Sequence, residues 1–321
     1  MDMPNIQWWA KPAANTTAAP NQTNGGFAIP GLGNSTSNSS FPFPQSAPST
    51  NNAPVAPEQV PSPVVPTGPR ANRPPMSDRD KIVAPSLASG GVPDPTAEYL
   101  QRASIPSTLL PSPKPMLVVM DLNGTLLFRP SRRNATSFIE RPHAKRFLQY
   151  CLDTFHVVIW SSARPANVQS MCDQLLLGAP GPEGQKDRAM YRRRVLAIWG
   201  RDRFGLSKAD YNTRVQVYKR LDMVWNDPRV KGSHPDIATG GRWDQSNTVL
   251  IDDSLEKARS EPFNLVRIPE FFGEEAEQGL VVPQVHDYIN SLCYQSDVSS
   301  YMRTNPFQMR DDYRLEPPAE Q

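Results

Sequence analysis

The sequence predicts an α/β domain with a doubly wound, mostly parallel sheet that follows a long N-terminal segment without a fold of its own. Two observations carry this prediction. Short unbroken apolar runs alternate with stretches whose apolar residues recur at helical spacing, as in a sheet covered by helices on both faces. In addition, 22 of the 35 prolines lie at or before Pro115, so the composition changes sharply near that residue.

The first 110 residues are predicted to form a disordered tail rich in Pro, Asn and Ser. Only five of residues 1–75 are charged, and such a segment buries too little apolar surface to offset its ordering entropy. The folded domain is predicted over residues 111–295, a normal size for one domain. A chain that starts near residue 111 is therefore expected to fold alone. Residues 296–321 are polar and are predicted to form a flexible C-terminal tail.

Within the N-terminal tail, Trp8 and Trp9 stand next to each other in a stretch with few apolar residues. Two interpretations stay open. The pair could belong to a peptide that docks on a partner, or it could be chance hydrophobicity in a disordered end.

Charge and hydropathy argue against several functional classes. The net charge is +2, which offers no general attraction to nucleic acid, so no nucleic-acid partner is predicted. No apolar run is long enough to cross a bilayer, and no membrane association is predicted. Residues 1–20 lack the apolar core of a secretory signal and the Arg-rich amphipathic character of a mitochondrial one. A nuclear or cytoplasmic location is expected.

The three cysteines show no spacing typical of metal ligands, and two of them fall on apolar helix faces. Cys151, Cys172 and Cys293 are therefore predicted to be buried free thiols in a reducing compartment.

The pattern of apolar residues assigns the elements of the domain. Amphipathic stretches predict a helix that opens at Arg141 and Pro142, another from Pro165, and a closing helix near the end of the domain. The basic run 186–194 is interpreted as a solvated surface, with contact to an anionic partner as the less favoured alternative. Buried strands are predicted at residues 117–120, 156–160, 195–199, 248–251 and 264–268.

Three of these strands are followed by polar side chains that suit phosphoryl chemistry. Asp121 follows the first strand, Ser161 the second, and the strand at 248–251 ends in Asp252 and Asp253. The carboxyl ends of parallel strands meet at one edge of a sheet, so these groups are expected to converge. Separated acids can hold a hard divalent cation, and an aspartate there can act as a nucleophile that forms a phospho-aspartate. The alternative is that the stretch 121–124 is an ordinary turn.

Lys219 lies between the second and third of these groups in the chain and could supply the charge that fixes a phosphate. Taken alone, a lysine is usually a solvated surface residue. The ordered set of acid, hydroxyl, lysine and acid pair favours the functional interpretation.

These residues resemble a known family. The order Asp-Leu-Asn-Gly-Thr at 121–125, Ser-Ser at 161–162, Lys219 and Ile-Asp-Asp-Ser at 251–254 resembles the signature of the haloacid dehalogenase superfamily. Two stretches point to one branch of this superfamily. Tyr-Lys-Arg-Leu at 218–221 and Leu-Ile-Asp-Asp-Ser at 250–254 resemble the RNA polymerase II C-terminal-domain phosphatases and NLI-interacting-factor-like phosphatases. The resemblance covers about residues 115–292 and includes neither tail.

The resemblance implies a role for each matching position. Asp121 matches the family's nucleophile and a ligand of Mg²⁺, and the backbone carbonyl of Asn123 matches a second ligand. Asp253 matches the ligand from the late motif, with Asp252 as its acidic neighbour.

The remaining positions match groups that hold phosphate and orient the nucleophile, namely Thr125, Ser161 and Lys219. The branch also carries an insertion that shapes substrate choice, which would fall at about residues 188–210 and contain Trp199 and Phe204.

One position departs from the family pattern. Active members carry an aspartate where this chain has Asn123, and that aspartate protonates the leaving oxygen and later activates water. An amide cannot exchange a proton in this way, and general acid–base catalysis is typically worth ~10²–10⁴-fold in rate.

Two functions follow from the sequence. The first is a Mg²⁺-dependent phosphatase of phosphoserine or phosphothreonine in proteins, with an RNA polymerase II tail as one substrate type. The second is a non-catalytic interaction module, similar to the receptor subunit of the mitochondrial inner-membrane presequence translocase. That relative needs a targeting sequence and a membrane span, and neither is evident in this sequence.

Overall fold

The computed structural model of the chain describes residues 82–131, 134, 137–176, 182–274, 277 and 279–314, with only the helical backbone given for 182–187. The predicted disordered tail up to residue 81, with Trp8 and Trp9, lies outside the described residues.

The core of the fold is a five-stranded sheet in which all neighbouring strands are parallel. Its spatial order is β5-β4-β1-β6-β7. The strands are β1 (Leu117–Met120), β4 (His156–Trp160), β5 (Val195–Trp199), β6 (Thr248–Asp252) and β7 (Leu265–Arg267). The predicted α/β class with a parallel sheet is confirmed.

Strand β1 lies at the centre of the sheet, so both of its faces are covered. Val118 and Met120 point into one apolar layer, and Leu117 and Val119 point into the other. All four are fully buried, which explains why an unbroken apolar run forms this strand. Parallel strands require crossover connections, and these supply the helices on the two faces.

The helices divide between the two faces of the sheet. Side chains from α2, α3, α8 and α9 pack into the layer that contains Val118, whereas α6 and α7 pack into the layer that contains Val119. The helices are α1 (Ala97–Ser104), α2 (Ala144–Thr154), α3 (Pro165–Leu175), α4 (Pro182–Arg194), α5 (Lys208–Asn212), α6 (Leu221–Asn226), α7 (Pro228–Lys231), α8 (Val281–Leu292) and α9 (Val298–Thr304).

A short antiparallel pair, β2 (Leu127–Phe128) and β3 (Ile139–Glu140), follows the loop after β1. Helix α2 then begins at Ala144, three residues later than the predicted opening at Arg141. Arg141 is fully buried and used in side-chain hydrogen bonds, and His143 has a φ of 65°. That left-handed conformation is outside the helical range, so the helix cannot start before it.

The prediction of an insertion at residues 188–210 is wrong, because this stretch contains β5, an edge strand of the central sheet. Trp199 ends that strand, and its ring packs edge-on against Trp160 of β4 at a centroid distance of 5.1 Å. Phe204 is also buried against Trp160. These aromatic residues are part of the core.

The folded part extends upstream of the predicted boundary at residue 110. We call residues 82–110 the N-terminal strap. Val83 forms a bridge with Val215, Tyr99 of α1 is 5% exposed, and the N–H of Leu110 donates to the carbonyl of Tyr294 at 2.7 Å. Its composition is similar to that of the tail, but its partners are distant in the sequence.

The predicted flexible tail over 296–321 is also corrected. Helix α9 occupies residues 298–304, and the Asp297 side chain caps it by accepting a hydrogen bond from the Ser300 N–H. Val298 and Met302 are buried in the same layer as α8. The described part of this tail ends at residue 314.

The three cysteines are buried free thiols, as predicted. Across the part of the chain that the structure describes, none of the helices is long and apolar enough to cross a membrane.

Candidate active site

Asp121 is the first residue after the central strand β1, at the carboxyl edge of the sheet. Its N–H donates to the carbonyl of Ile251 in β6 at 3.0 Å, which continues the strand pairing by one residue. The side chain of Asp121 is 2% exposed. A buried carboxylate is costly unless cations or donors surround it, so its neighbours decide its chemistry.

The chain turns tightly after Asp121, and Gly124 makes this turn possible. The carbonyl of Leu122 accepts hydrogen bonds from the N–H groups of Thr125 and Leu126 at 3.1 and 2.8 Å. Gly124 has a φ of +88°, and a Cβ added there would lie 3.1 Å from the Asp253 carboxylate. Glycine therefore allows the backbone to approach the second acid motif closely.

Three carboxylates meet at this edge of the sheet, and we call Asp121, Asp252 and Asp253 the acid cluster. One oxygen from each lies within 4.8 Å of the others. Asp252 ends β6, the neighbour of β1, so the parallel pairing of these two strands brings the two motifs together. Asp121 and Asp252 are buried, and Asp253 is partly exposed.

Lys219 inserts its ammonium group into the acid cluster from the loop before α6. Its Nζ lies 2.6 Å from Oδ2 of Asp252 and 3.1 Å from Oδ1 of Asp121. The side chain is fully buried. Its charge therefore compensates two buried carboxylates, and its contact with a phosphate stays a prediction.

Lys257 brings a second ammonium group to the acid cluster, and sequence reasoning missed it. Its Nζ lies 2.7 Å from Oδ2 of Asp121, 2.9 Å from Oδ1 of Asp252 and 3.5 Å from Oδ1 of Asp253. Lys257 lies in a short 3₁₀ turn, and its carbonyl accepts a hydrogen bond from the Lys219 N–H at 2.7 Å. The available signal was the four-residue spacing from Asp253, which places a lysine beside an acid on a helical turn.

The charges within this group are uneven. Three carboxylates and two ammonium groups leave a formal charge of −1. Burial alone would raise the pKa of Asp252, but the charges of Lys219 and Lys257 outweigh it and hold that pKa below its usual range. Burial and the neighbouring carboxylates raise the pKa of Asp253 to about 7, although Lys257 opposes this. Asp253 is thus the carboxyl group that lacks a sufficient counter-charge.

Asn123 is exposed at the mouth of this site. Its side-chain oxygen accepts a hydrogen bond from the backbone N–H of Arg129 at 2.9 Å, which ties the turn to the residue after β2. The amide can only accept at this oxygen and donate at its nitrogen, so it cannot transfer a proton. The backbone carbonyl of Asn123 as a metal ligand stays a prediction.

The two predicted phosphate-binding hydroxyls are both buried near strand ends. Thr125 Oγ1 donates to Oδ1 of Asp253 at 3.4 Å, so it touches the acid cluster directly. Ser161 follows β4, the other neighbour of β1, and its Oγ accepts from the Ala163 N–H at 3.4 Å. Their contact with a phosphate stays a prediction.

The residues of the acid cluster fit a hard divalent cation. The available donors are carboxylate oxygens, which Mg²⁺ prefers over nitrogen or sulfur. Oδ1 of Asp121 is buried and, among the described residues, accepts no hydrogen bond, although Lys219 Nζ lies 3.1 Å away. Asp121 and Asp253 would hold the ion, with Asp252 beside them.

Arg141 fixes the loop that carries Thr125. Its side chain is 1% exposed, and its guanidinium donates to the carbonyl of Thr125 and to the carbonyl of Pro269, both at 2.9 Å. Glu277 compensates the buried charge at 2.8 Å. The Phe271 N–H also donates to the carbonyl of Gly124 at 2.8 Å. The segment after β7 therefore stabilises the loop that follows β1.

A buried acid, Glu261, anchors the loop that carries Lys219. Its carboxylate accepts from the Leu221 N–H at 2.9 Å, two residues after Lys219. Burial is the main reason why the pKa of Glu261 rises from 4.5 to about 7, while hydrogen bonds from Ser260 and Leu221 oppose it.

We expect Glu261→Gln to change how stability depends on pH. The folded state keeps the Glu261 proton up to about pH 7, whereas the unfolded chain releases it near 4.5. The wild-type chain should therefore lose stability relative to the variant as pH rises through this window, by roughly 3 kcal/mol at most. Glutamine still accepts from the Leu221 N–H, so the loop is retained.

Thermal melts between pH 5 and 8 measure this effect, with Glu98→Gln on the exposed surface of α1 as the matched control. The expectation would be contradicted if the melting temperatures of the wild-type chain and Glu261→Gln changed with pH by the same amount across that range.

Two comparisons with known proteins agree with this geometry. A family model of NLI interacting factor-like phosphatases matches residues 116–299, which include every member of the site described above. An uncharacterized FCP1 homology domain-containing protein of Schizosaccharomyces pombe is 32% identical over 235 residues, which cover 70% of this chain and 89% of that protein. The chain therefore belongs to the NLI-interacting-factor-like phosphatases, a branch of the haloacid dehalogenase superfamily.

Proposed function

We propose that the chain is a Mg²⁺-dependent phosphatase of phosphoserine and phosphothreonine in proteins that works through a phospho-aspartate on Asp121. The observation that carries this proposal is the position of Asp121. It directly follows the central strand and lies inside the acid cluster, with an ammonium group beside each of its carboxylate oxygens. A carboxylate at such an edge can reach a ligand bound outside the sheet.

In the first step, one carboxylate oxygen of Asp121 attacks phosphorus and the bond to the seryl or threonyl oxygen breaks. The leaving oxygen takes a proton from water, since Asn123 has none to give. In the second step, water attacks the aspartyl phosphate, which releases inorganic phosphate and restores Asp121. Asp121 and Asp253 would hold Mg²⁺, which when bound would supply charge neutralisation for the phosphoryl group.

The neighbouring side chains keep Asp121 ready for this reaction. In the absence of a metal ion, Lys219 and Lys257 hold its carboxylate by charge from two sides, so it stays oriented. Thr125 and Ser161 are assigned to the phosphoryl oxygens, and the buried edge limits access of water to the aspartyl phosphate. Lacking a proton donor at position 123, the enzyme is expected to turn over slowly.

The second candidate function is a module that binds phosphorylated proteins without hydrolysing them. The observation that favours it is Asn123, whose side chain ties the turn together and cannot act as an acid. In either case the proposed partner is a phosphorylated protein, with an RNA polymerase II tail as one type, in the nucleus or cytoplasm. The segment around Trp8 and Trp9 is a further proposed docking element.

Calorimetry with Mg²⁺ tests the metal site directly. The wild-type chain is expected to bind Mg²⁺, and Asp253→Ala should lower the affinity at least about tenfold because it removes one carboxylate ligand. Asp287→Ala, which removes an exposed carboxylate from α8, is the matched control. Equal Mg²⁺ affinity in the wild-type chain and Asp253→Ala would show that Asp253 is not a ligand of the metal ion.

Activity separates the two candidate functions. Phosphate release from a phosphoserine peptide should require Mg²⁺ and should be lost in Asp121→Asn, because the nucleophile is gone. Binding of the peptide without phosphate release in the wild-type chain would favour the module.

A further inference from the structure

Lys257 contacts every member of the acid cluster, and this distinguishes it from Lys219. Its Nζ lies within 3.5 Å of one oxygen from each of the three carboxylates. Lys219 contacts only Asp121 and Asp252, through the opposite oxygen of each. The ammonium group of Lys257 thus lies at the focus of the residues that would hold a metal ion.

The acid cluster is too small for both cations. The three oxygens that could ligate a metal lie within 4.8 Å of one another, and Mg²⁺ would draw them to about 2.1 Å from itself. An ion bound through Oδ2 of Asp121 and Oδ1 of Asp253 would meet the Lys257 Nζ, which lies 2.7 and 3.5 Å from these atoms, inside the distance that two cations tolerate in a buried site.

Charge leads to the same conclusion. With Lys219 retained and Lys257 withdrawn, the acid cluster has a formal charge of −2, which one Mg²⁺ neutralises. With both lysines retained, the same ion would leave a buried excess of positive charge, which is costly. Exchange of the Lys257 ammonium for Mg²⁺ therefore changes the formal charge of the site from −1 to zero.

The two lysines also differ in their freedom to leave. The side chain of Lys257 is 15% exposed, whereas that of Lys219 is fully buried. The Lys257 backbone is held by the Lys219 N–H and by the Ser254 side chain, so the side chain can rotate outward without unfolding the turn.

We propose that Lys257 is an internal counter-ion that competes with the divalent cation, so that Mg²⁺ enters the acid cluster only as the Lys257 ammonium moves out to solvent. This inference rests on the metal site of the proposed function. It makes Lys257 the residue that sets the metal affinity, while Lys219 stays in place.

Calorimetry on the full chain gives the first measurement. Lys257→Met should bind Mg²⁺ about tenfold more tightly or better, since the competing charge is gone. Lys231→Met, at an exposed lysine of α7, should match the wild-type chain. Equal affinity in the wild-type chain and Lys257→Met overturns the inference and leaves the metal site standing. If neither binds Mg²⁺, the metal site of the proposed function fails as well.

Chemical labelling of the wild-type chain gives the second measurement and needs no variant. An amine-acylating reagent followed by mass spectrometry should modify Lys257 several-fold faster with saturating Mg²⁺ than with NaCl at the same ionic strength. The buried Lys219 should stay protected in both conditions and serves as the internal control. Unchanged or slower labelling of Lys257 at saturating Mg²⁺ overturns the inference.

Discussion

Replacing Asn123 by aspartate is expected to raise the turnover of an aryl phosphate with a poor leaving group by about 10²-fold or more. The substitution adds the one group that the proposed reaction lacks, a carboxyl that can protonate the leaving oxygen and then activate water. Asparagine and aspartate are nearly the same size, so the loop should be preserved.

The structure supports this expectation in two ways. The side-chain oxygen of Asn123 accepts from the Arg129 N–H at 2.9 Å, and an aspartate oxygen can accept the same bond. The new carboxyl would also lie two residues from Asp121 and next to Gly124, the residue that closely approaches the Asp253 carboxylate. Like charges raise a carboxyl pKa, which favours the protonated form that a general acid needs.

The measurement is the turnover on aryl phosphates whose leaving groups differ in acidity. The gain in Asn123→Asp should be smaller for good leaving groups, because they need little protonation. Asp121→Asn in the same background should abolish activity. If Asn123→Asp binds Mg²⁺ normally but gains no turnover with any leaving group, the phosphatase interpretation is wrong and the binding module stands.

The sequence predicted the centre of the fold because its signals there are local. A short unbroken apolar run such as Leu117–Met120 is typical of a strand covered on both faces, and parallel strands bring their carboxyl ends to one edge. This rule indicated that Asp121, Asp252 and Asp253 would lie close together, and the structure has them within 4.8 Å.

Features that depend on contacts between residues far apart in the sequence could not be predicted. Lys257 is one lysine in a short polar turn, and only the position of Asp121, far away in the sequence, gives it a role. The strand pattern at residues 195–199 correctly predicts that Trp199 belongs to the sheet, whereas the resemblance to the family places it in an insertion. The N-terminal strap is similar to the tail in composition, and it is held by contacts with residues between Ser207 and Arg303.

Removing residues 1–110 is expected to destabilise the domain strongly, contrary to what the composition suggests. Tyr99 of the strap is 5% exposed and packs parallel to Phe263 at a centroid distance of 6.0 Å. Its hydroxyl donates to Oδ1 of Asn264 at 2.9 Å and accepts from the Phe263 N–H at the same distance. Losing a buried aromatic side chain alone costs about 3–5 kcal/mol.

The deletion also leaves polar groups without partners. Arg102 of the strap donates to Asp244 at 2.8 Å and to Asp297 at 2.9 Å, and the latter residue caps α9. Partly exposed ion pairs of this kind contribute up to about 1 kcal/mol each. Since a domain typically has only ~5–15 kcal/mol of stability, the truncated chain should melt far below the full chain or fail to fold.

Thermal melts of the full chain, of a chain that begins at Ile82 and of one that begins at Pro111 measure the effect. The chain from Ile82 retains the strap and is the control for loss of the preceding residues. Because the shortest chain can fail to fold, Tyr99→Ala in the full chain provides a second test, with an expected loss of about 3–5 kcal/mol. Leu87→Ala, at a strap residue that is 93% exposed, should change little. If the chain from Pro111 melts with the full chain and Tyr99→Ala matches Leu87→Ala, the strap contributes nothing to the fold.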